Sequence, residues 1–571
     1  MKPVRLLAAA TNALPRWALI ALSLLYIVPG LIGRDPWKNE DATSFGIMWT
    51  IAHGNLQDWL LLNVAGQSMP SESPLAYWLG ALCIKLFGGL VGDVMAARIL
   101  TAICFLVGSL SIWYATYLLG RRNESQPMQL AFGGQPSPRA YGKTLADGAF
   151  LIFLACFGLL LHSHETSPKV LEIALIGYAL YASVRVFDTR NWYYTCSLGI
   201  ALGLSVLTRG WLTPTSILIG LVVLGFIIER RLGLRLLLVT VPFAILVCAV
   251  WIISTRMLLP DSVEPFNMWR TWNWYQINFP TLKTFKYLLE YGAWFTWPAW
   301  PLAAWAIYSW RHQLKSLHIA IPLAFLIPMT IRILMNVHTI ESNLLPLLPP
   351  LAILAAFGLP TLKRGAINAV DWFSVMALTL SAAFIWLGWF AIEFGWPEKL
   401  AHNAAKLAPG YEPGMHHMTV IVALLATVSW IILVHWRISR RPPVLWRAVV
   451  LSSGGVILCW VLLMTLWMPL INYSKSYAGV AQQIAERLPP VKYCVTTNVG
   501  TAQRASFAFF AGIPFEDQPT HACDFLLLQD DTSSLDNQPL LQQYEGRWKL
   551  LWEGRRPSDR DERFRLYRRL P

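Results

Sequence analysis

Unbroken apolar blocks of seventeen or more residues recur along this chain, each bounded by charged or Gly/Pro-rich stretches. A helix of about 20 apolar residues spans the hydrocarbon layer of a bilayer while satisfying its own backbone hydrogen bonds. A large soluble core would show amphipathic stripes with a helical or strand period instead. The blocks therefore predict a polytopic α-helical membrane protein with about thirteen spans. Composition agrees, since only 14% of residues are charged, against about 25% in an ordinary soluble domain.

The net charge of +14 is spread over short loops between the apolar blocks, not gathered in one patch. Arg121, Arg122, Arg139 and Lys143 share one loop, and Arg230, Arg231 and Arg235 another. Arg311 with Lys315, Lys363 with Arg364, and Arg437, Arg440, Arg441 and Arg447 follow. The positive-inside rule places all of these on the cytoplasmic side, with the N-terminus, provided Leu75–Leu90 does not span. That segment is then a juxtamembrane or re-entrant element of a long first outer loop, residues 34–93. The first apolar block, Trp17 to Gly33, offers no small-x-small cleavage site and is read as a retained start helix. No basic run is interleaved with exposed aromatics, which excludes a nucleic-acid groove.

Residues 1–470 form the membrane part on this reading, and 471–571 a small α/β domain on the outer side. The tail is polar, with short β-like runs at Val491–Val495, Phe525–Leu528, Lys549–Trp552 and Phe564–Tyr567, and a helix at Ala502–Ala511. Six of the eight cysteines lie in or beside apolar segments; Cys494 and Cys523 lie in the tail. In an oxidising compartment two such cysteines pair, the alternative being two separate buried thiols.

The outer loops carry the candidate chemistry. Trp37-Lys38-Asn39-Glu40-Asp41 follows the first membrane helix, so two carboxylates sit where a lipid headgroup would lie. Either can orient or deprotonate a hydroxyl nucleophile, or both can simply favour a helix N-terminus. Arg209, Arg270 and Arg332 are outer-side cations for a phosphate. Arg209 and Arg332 lie at or near membrane depth, where a charge faces a functional cavity or snorkels to the interface. His162, Ser163, His164 and Glu165 fill a short loop, with Glu172 two turns further on. The two histidines and Glu165 suit a divalent metal or a polar headgroup contact, and no His-Glu-x-x-His motif accompanies them.

Three motifs occur in a fixed order: the acid pair, then Ser73-Pro74-Leu75-Ala76-Tyr77-Trp78, then Asn343-Leu344-Leu345-Pro346-Leu347-Leu348-Pro349. Together they resemble the lipid-linked GT-C glycosyltransferases, which include the aminoarabinose transferases that modify lipid A and the protein O-mannosyltransferases. The resemblance implies a bacterial inner-membrane enzyme with a periplasmic tail. It also implies inverting transfer of a sugar from a polyprenyl (undecaprenyl) phosphate donor to a lipid A, glycan or protein acceptor. Glu40 or Asp41 would be catalytic, Arg209, Arg270 and Arg332 would bind donor phosphate, and Tyr77, His162, His164, Glu165, Glu172 and Asn343 would meet acceptor or headgroup. The chain departs from the family at Glu40-Asp41, where Asp usually precedes Glu. It departs again at Glu72-Ser73-Pro74-Leu75, where Lys-Pro-Pro-Leu is common. Two other readings use the same features, a flippase for lipid-linked saccharides and a glycan ligase or polymerase. A transporter would show repeated halves with broken helices at matching positions, and no internal repeat is visible in the sequence.

Overall fold

The computed structural model describes residues 4–37, 39–129, 133–260, 263–440, 444–490, 493–516, 523–531, 547–559 and 561–570. The chain is a polytopic α-helical membrane protein. Among the described residues, eight helices are long and apolar enough to cross a membrane. They are Asp93–Gly120, Pro168–Thr189, Arg230–Leu258, Leu317–Leu334, Glu341–Thr361, Arg364–Phe394, His417–Ser439 and Arg447–Leu466. Other blocks among the expected thirteen are shorter or interrupted. The block Leu145–Leu161 breaks at Cys156, whose extended backbone separates Pro138–Ala155 from Phe157–His162. The block Gly292–Trp310 divides between Leu282–Phe295 and Ala299–Ser309. Pro298 stands in that gap and has no N–H to continue a helical ladder.

Burial sorts the helices into a centre and a rim. The windows of Glu341–Thr361 and Arg447–Leu466 are 89% and 83% buried, whereas His417–Ser439 is 11% buried. A helix apolar all round and exposed is stable only with lipid against it. Small residues allow the closest crossings: a Cβ on Gly177 would lie 3.1 Å from the Gly108 carbonyl oxygen.

The arginine-bearing loops meet at one end of the bundle. Arg122 pairs with Asp188 and with Glu124, Arg190 with Glu229, and Arg437 with Asp371. The Leu317 N–H donates to Glu124 over 2.7 Å, tying a further loop to this end. Arg441 lies outside the described residues. At the opposite end, Leu75–Val91 folds back on Asp93–Gly120. Its Ala76 packs with Cys104 and Val170, and its last turn abuts Asp93. A two-residue hairpin precedes it, β1 (Asn63–Val64) and β2 (Gln67–Ser68), turning through Ala65 (φ 46°) and Gly66 (φ 92°). Positive φ at both positions matches the twist of hairpin strands.

The tail carries a four-stranded sheet of β3 (Val495–Thr497), β4 (Phe525–Asp531), β5 (Arg547–Gly554) and β6 (Glu562–Leu570), in the order β3-β4-β6-β5. β3 and β4 run parallel and the other pairs antiparallel. The first strand falls at Val495–Thr497, later than Val491–Val495; residues 491–492 lie outside the described residues. Phe507 of the Thr501–Ala511 helix packs with Phe525, Leu527, Phe564 and Leu566 on one face of the sheet. A disulfide joins Cys494 to Cys523 across 29 positions. Closing a loop of that size stabilises by about 3–4 kcal/mol in the chain-entropy model. Both cysteines are expected to resist alkylation of the denatured, unreduced protein and to react after reduction. Free labelling without reductant would remove the bond from the account.

Candidate active site

The acid pair opens the Glu40–His53 helix, which starts directly after Asn39. Asn39 has φ 73° and ψ −132°, a strained region for a residue with a side chain, of the kind that persists where surrounding structure enforces it. The two acids meet different environments. Asp41 is buried, accepting from the Arg34 guanidinium at 3.0 Å, the Trp37 N–H at 3.1 Å and the Thr166 N–H at 2.7 Å. A second guanidinium, Arg98, lies 3.8 Å away. Burial opposes its ionisation, but Arg34 and Arg98, with the two N–H donors, hold the Asp41 carboxyl below the usual carboxylate range. Arg98 itself donates to the carbonyls of Leu31 and Asp35, at 3.1 and 2.9 Å, and to that of Arg34. Asp41 is thus the centre of a knot that fixes the turn after the first helix.

Glu40 faces the other way. Its side chain is 42% exposed and pairs with Lys169, whose own side chain is 5% exposed. Glu72 lies nearby, accepting from the Tyr77 hydroxyl at 2.7 Å. Burial, and next the Glu40 charge, raise its carboxyl above the ordinary value, against the Tyr77 hydroxyl, Arg209 and Lys169. Across from these, Glu172 accepts from Arg209 at 3.1 Å and from the Thr213 hydroxyl at 2.8 Å. Arg209 ends its helix at Gly210, where φ is 88° and a Cβ would sit 2.0 Å from the Asn273 Oδ1. Only glycine lets the chain turn there and leaves the arginine at the rim. Arg332 lies within electrostatic reach of Glu172 and Arg209, and its buried Nε has no partner among the described residues.

The structure brings together Glu40, Asp41, Glu172, Arg209, Arg332 and Tyr77, and does not bring Arg270. Arg270 is exposed on the Val263–Tyr275 helix, beside the buried stripe of Phe266, Trp269 and Asn273. Asn343 donates to the His338 carbonyl at 3.0 Å and so holds its own loop. His162 contacts Glu165 at 2.8 Å, and burial of Glu165 is outweighed by His162 and Lys169, which keep its carboxyl low. The buried His164 places Nε2 2.8 Å from the Tyr26 carbonyl, and Nδ1 2.6 Å from the Leu160 carbonyl and 3.0 Å from the Ser163 hydroxyl. Burial pushes it down to about 4 against the pull of those carbonyls. Both ring nitrogens of His164 thus face protein atoms, and His162, His164 and Glu165 do not converge as ligands among the described residues. Lys169, Arg34 and Arg98 were not assigned from sequence. Arg98, an arginine inside an apolar helix, carried a signal; Lys169 carried none.

The tail packs on the acid-bearing helix and the hairpin after it. The Thr501–Ala511 helix lies against the acid-bearing helix, with Phe509 edge-on to Phe45 and Trp49. Arg504 donates to the Ala65 carbonyl of the hairpin at 2.8 Å. A Cβ on Gly46 would come 2.3 Å from the Ala505 Cβ. Gly46→Val is therefore expected to weaken this docking by about 1–3 kcal/mol, as overpacking does. Limited proteolysis should release the tail faster than in the wild type, and an unchanged rate would show that the contact bears no load.

The chain is a helical bundle with a charged cluster at one end and a small sheet domain packed against the acid-bearing helix. No family model and no curated protein matches the chain. Among solved structures it is similar to ArnT from Cupriavidus metallidurans bound to undecaprenyl phosphate, with a TM-score of 0.67 and 14% identity over 96% of this chain and 97% of that one. The apo state of the same protein superposes with a TM-score of 0.65 over the same shares.

Proposed function

We propose that this chain is an integral-membrane glycosyltransferase that moves a sugar from a polyprenyl-phosphate donor to a hydroxyl-bearing acceptor. The observation that carries the reading is the opposition of an exposed carboxylate, Glu40, to a wall of cations, Lys169, Arg209 and Arg332, at one end of a GT-C bundle. The fold shared with an undecaprenyl-phosphate-bound ArnT supports a donor of that class. Glu40 accepts the acceptor hydroxyl's proton as the oxygen attacks the anomeric carbon. The anomeric C–O bond breaks behind it, inverting the centre, and the electron pair leaves on the phosphate. That phosphate is already a stable anion and needs no strong acid, only fixed positive charge, which Arg209 and Arg332 provide. The basic-loop end faces the cytoplasm on this reading, which places the site and the tail in the periplasm.

The test is to incubate the purified full chain with a panel of polyprenyl-phosphate sugars and candidate lipid, glycan and peptide acceptors. Release of polyprenyl phosphate that depends on the acceptor is the expected result. Binding without turnover for every donor, together with movement of the lipid across vesicles, would favour a flippase.

A further inference from the structure

We propose that Lys169 is a positioning residue that pairs with Glu40 until the donor's phosphate arrives and then moves to that phosphate, freeing Glu40 to take the acceptor's proton. The inference rests on the transferase reading above and adds the order in which the site is switched on.

Three observations carry it. The first is the pair itself: a buried ammonium holds the one carboxylate of the cluster that faces outward. A base so clamped has an oxygen committed to a cation and is a poor proton acceptor until the cation leaves. The second is location. Lys169 is the second residue of the Pro168–Thr189 helix, where the helix dipole disfavours positive charge. A cation there costs helix stability, and its position is explained by what it faces, Glu40 with Glu72 and Glu165 in electrostatic reach. The third is contrast with its neighbour. Arg209 is bonded through one nitrogen to the buried Glu172, which Thr213 also holds. Lys169 has a flexible four-carbon stem with rotatable donors, and its partner Glu40 is far more exposed than Glu172. The phosphate gains negative charge as the sugar leaves, so a lysine that follows it stabilises the transition state more than the ground state.

Binding of polyprenyl phosphate, the reaction's lipid product, tests this without turnover, by calorimetry on the detergent-solubilised full chain. Glu40→Gln removes the competitor for the ammonium and is expected to tighten binding by about two- to fivefold, the range of one ion pair of modest strength. Lys169→Met is expected to weaken binding and to abolish the gain from Glu40→Gln in the double variant. Lys169→Arg, which keeps the charge if the Met variant does not fold, should retain part of that gain. Affinity unchanged by Glu40→Gln, or improved equally with and without Lys169, overturns the inference and leaves the transferase reading standing. A wild-type chain that binds no polyprenyl phosphate overturns both.

Discussion

Glu40→Gln is expected to lower sugar transfer by about 10²–10⁴-fold, the usual loss on removing a positioned general base, while the protein stays folded and still binds donor. The amide keeps the shape of the side chain and removes only its charge and basicity. Neighbours in sequence point to different sides of a helix, and here burial separates them: the Glu40 side chain is 42% exposed, against 3% for Asp41. Asp41 has both oxygens committed to Arg34, Trp37 and Thr166, and its depressed carboxyl is a weaker base still. The measurement is single-turnover transfer at saturating donor, which isolates the chemical step from product release. Wild-type rates in Glu40→Gln would remove the general-base mechanism.

Asp41→Asn should have the opposite signature, a large loss of stability with any loss of transfer following from it. Breaking a buried ion pair on one side leaves its partner charge uncompensated, at a cost of about 3–5 kcal/mol. Here Arg34 is left facing an amide, with Arg98 close behind. The turn those groups hold joins the first membrane helix to the acid-bearing helix, so the expected result is a marked fall in the midpoint of thermal unfolding in detergent. The same pair predicts an acid dependence. The folded carboxyl titrates below its unfolded value of about 3.9. Its contribution is complete above that pH and is lost as pH falls through the lowered folded value. Wild type should therefore lose stability on acidification more steeply than Asp41→Asn through this window. Equal midpoints for the two proteins at neutral pH would show that the knot around Asp41 bears no load.

Much of the architecture was legible because its causes are local. An apolar block long enough for a bilayer forms a helix wherever it lies, since its backbone has no other partner there. The tail's helix was visible between Gly500 and Gly512, and the structure runs it from Thr501 to Ala511. Interruptions were harder to read. Pro298 marks a break in principle, but Cys156 has no intrinsic preference for the extended backbone it adopts.

The site divides the same way. Sequence alone determined that carboxylates and arginines would gather at one end of the bundle, because charge is costly within the hydrocarbon and collects at helix ends. It also placed Glu40 and Asp41 together at a helix start. Tertiary structure alone decided which of them is exposed, because that depends on Arg34, Arg98 and the Thr166 N–H arriving around Asp41 from three separate segments. It alone joined Lys169 to Glu40 across 129 positions and set His164 against the Tyr26 carbonyl of the first helix. Hydrophobic periodicity is a property of neighbouring residues, whereas ion pairing between distant helices depends on how the whole bundle packs, and no local pattern encodes it.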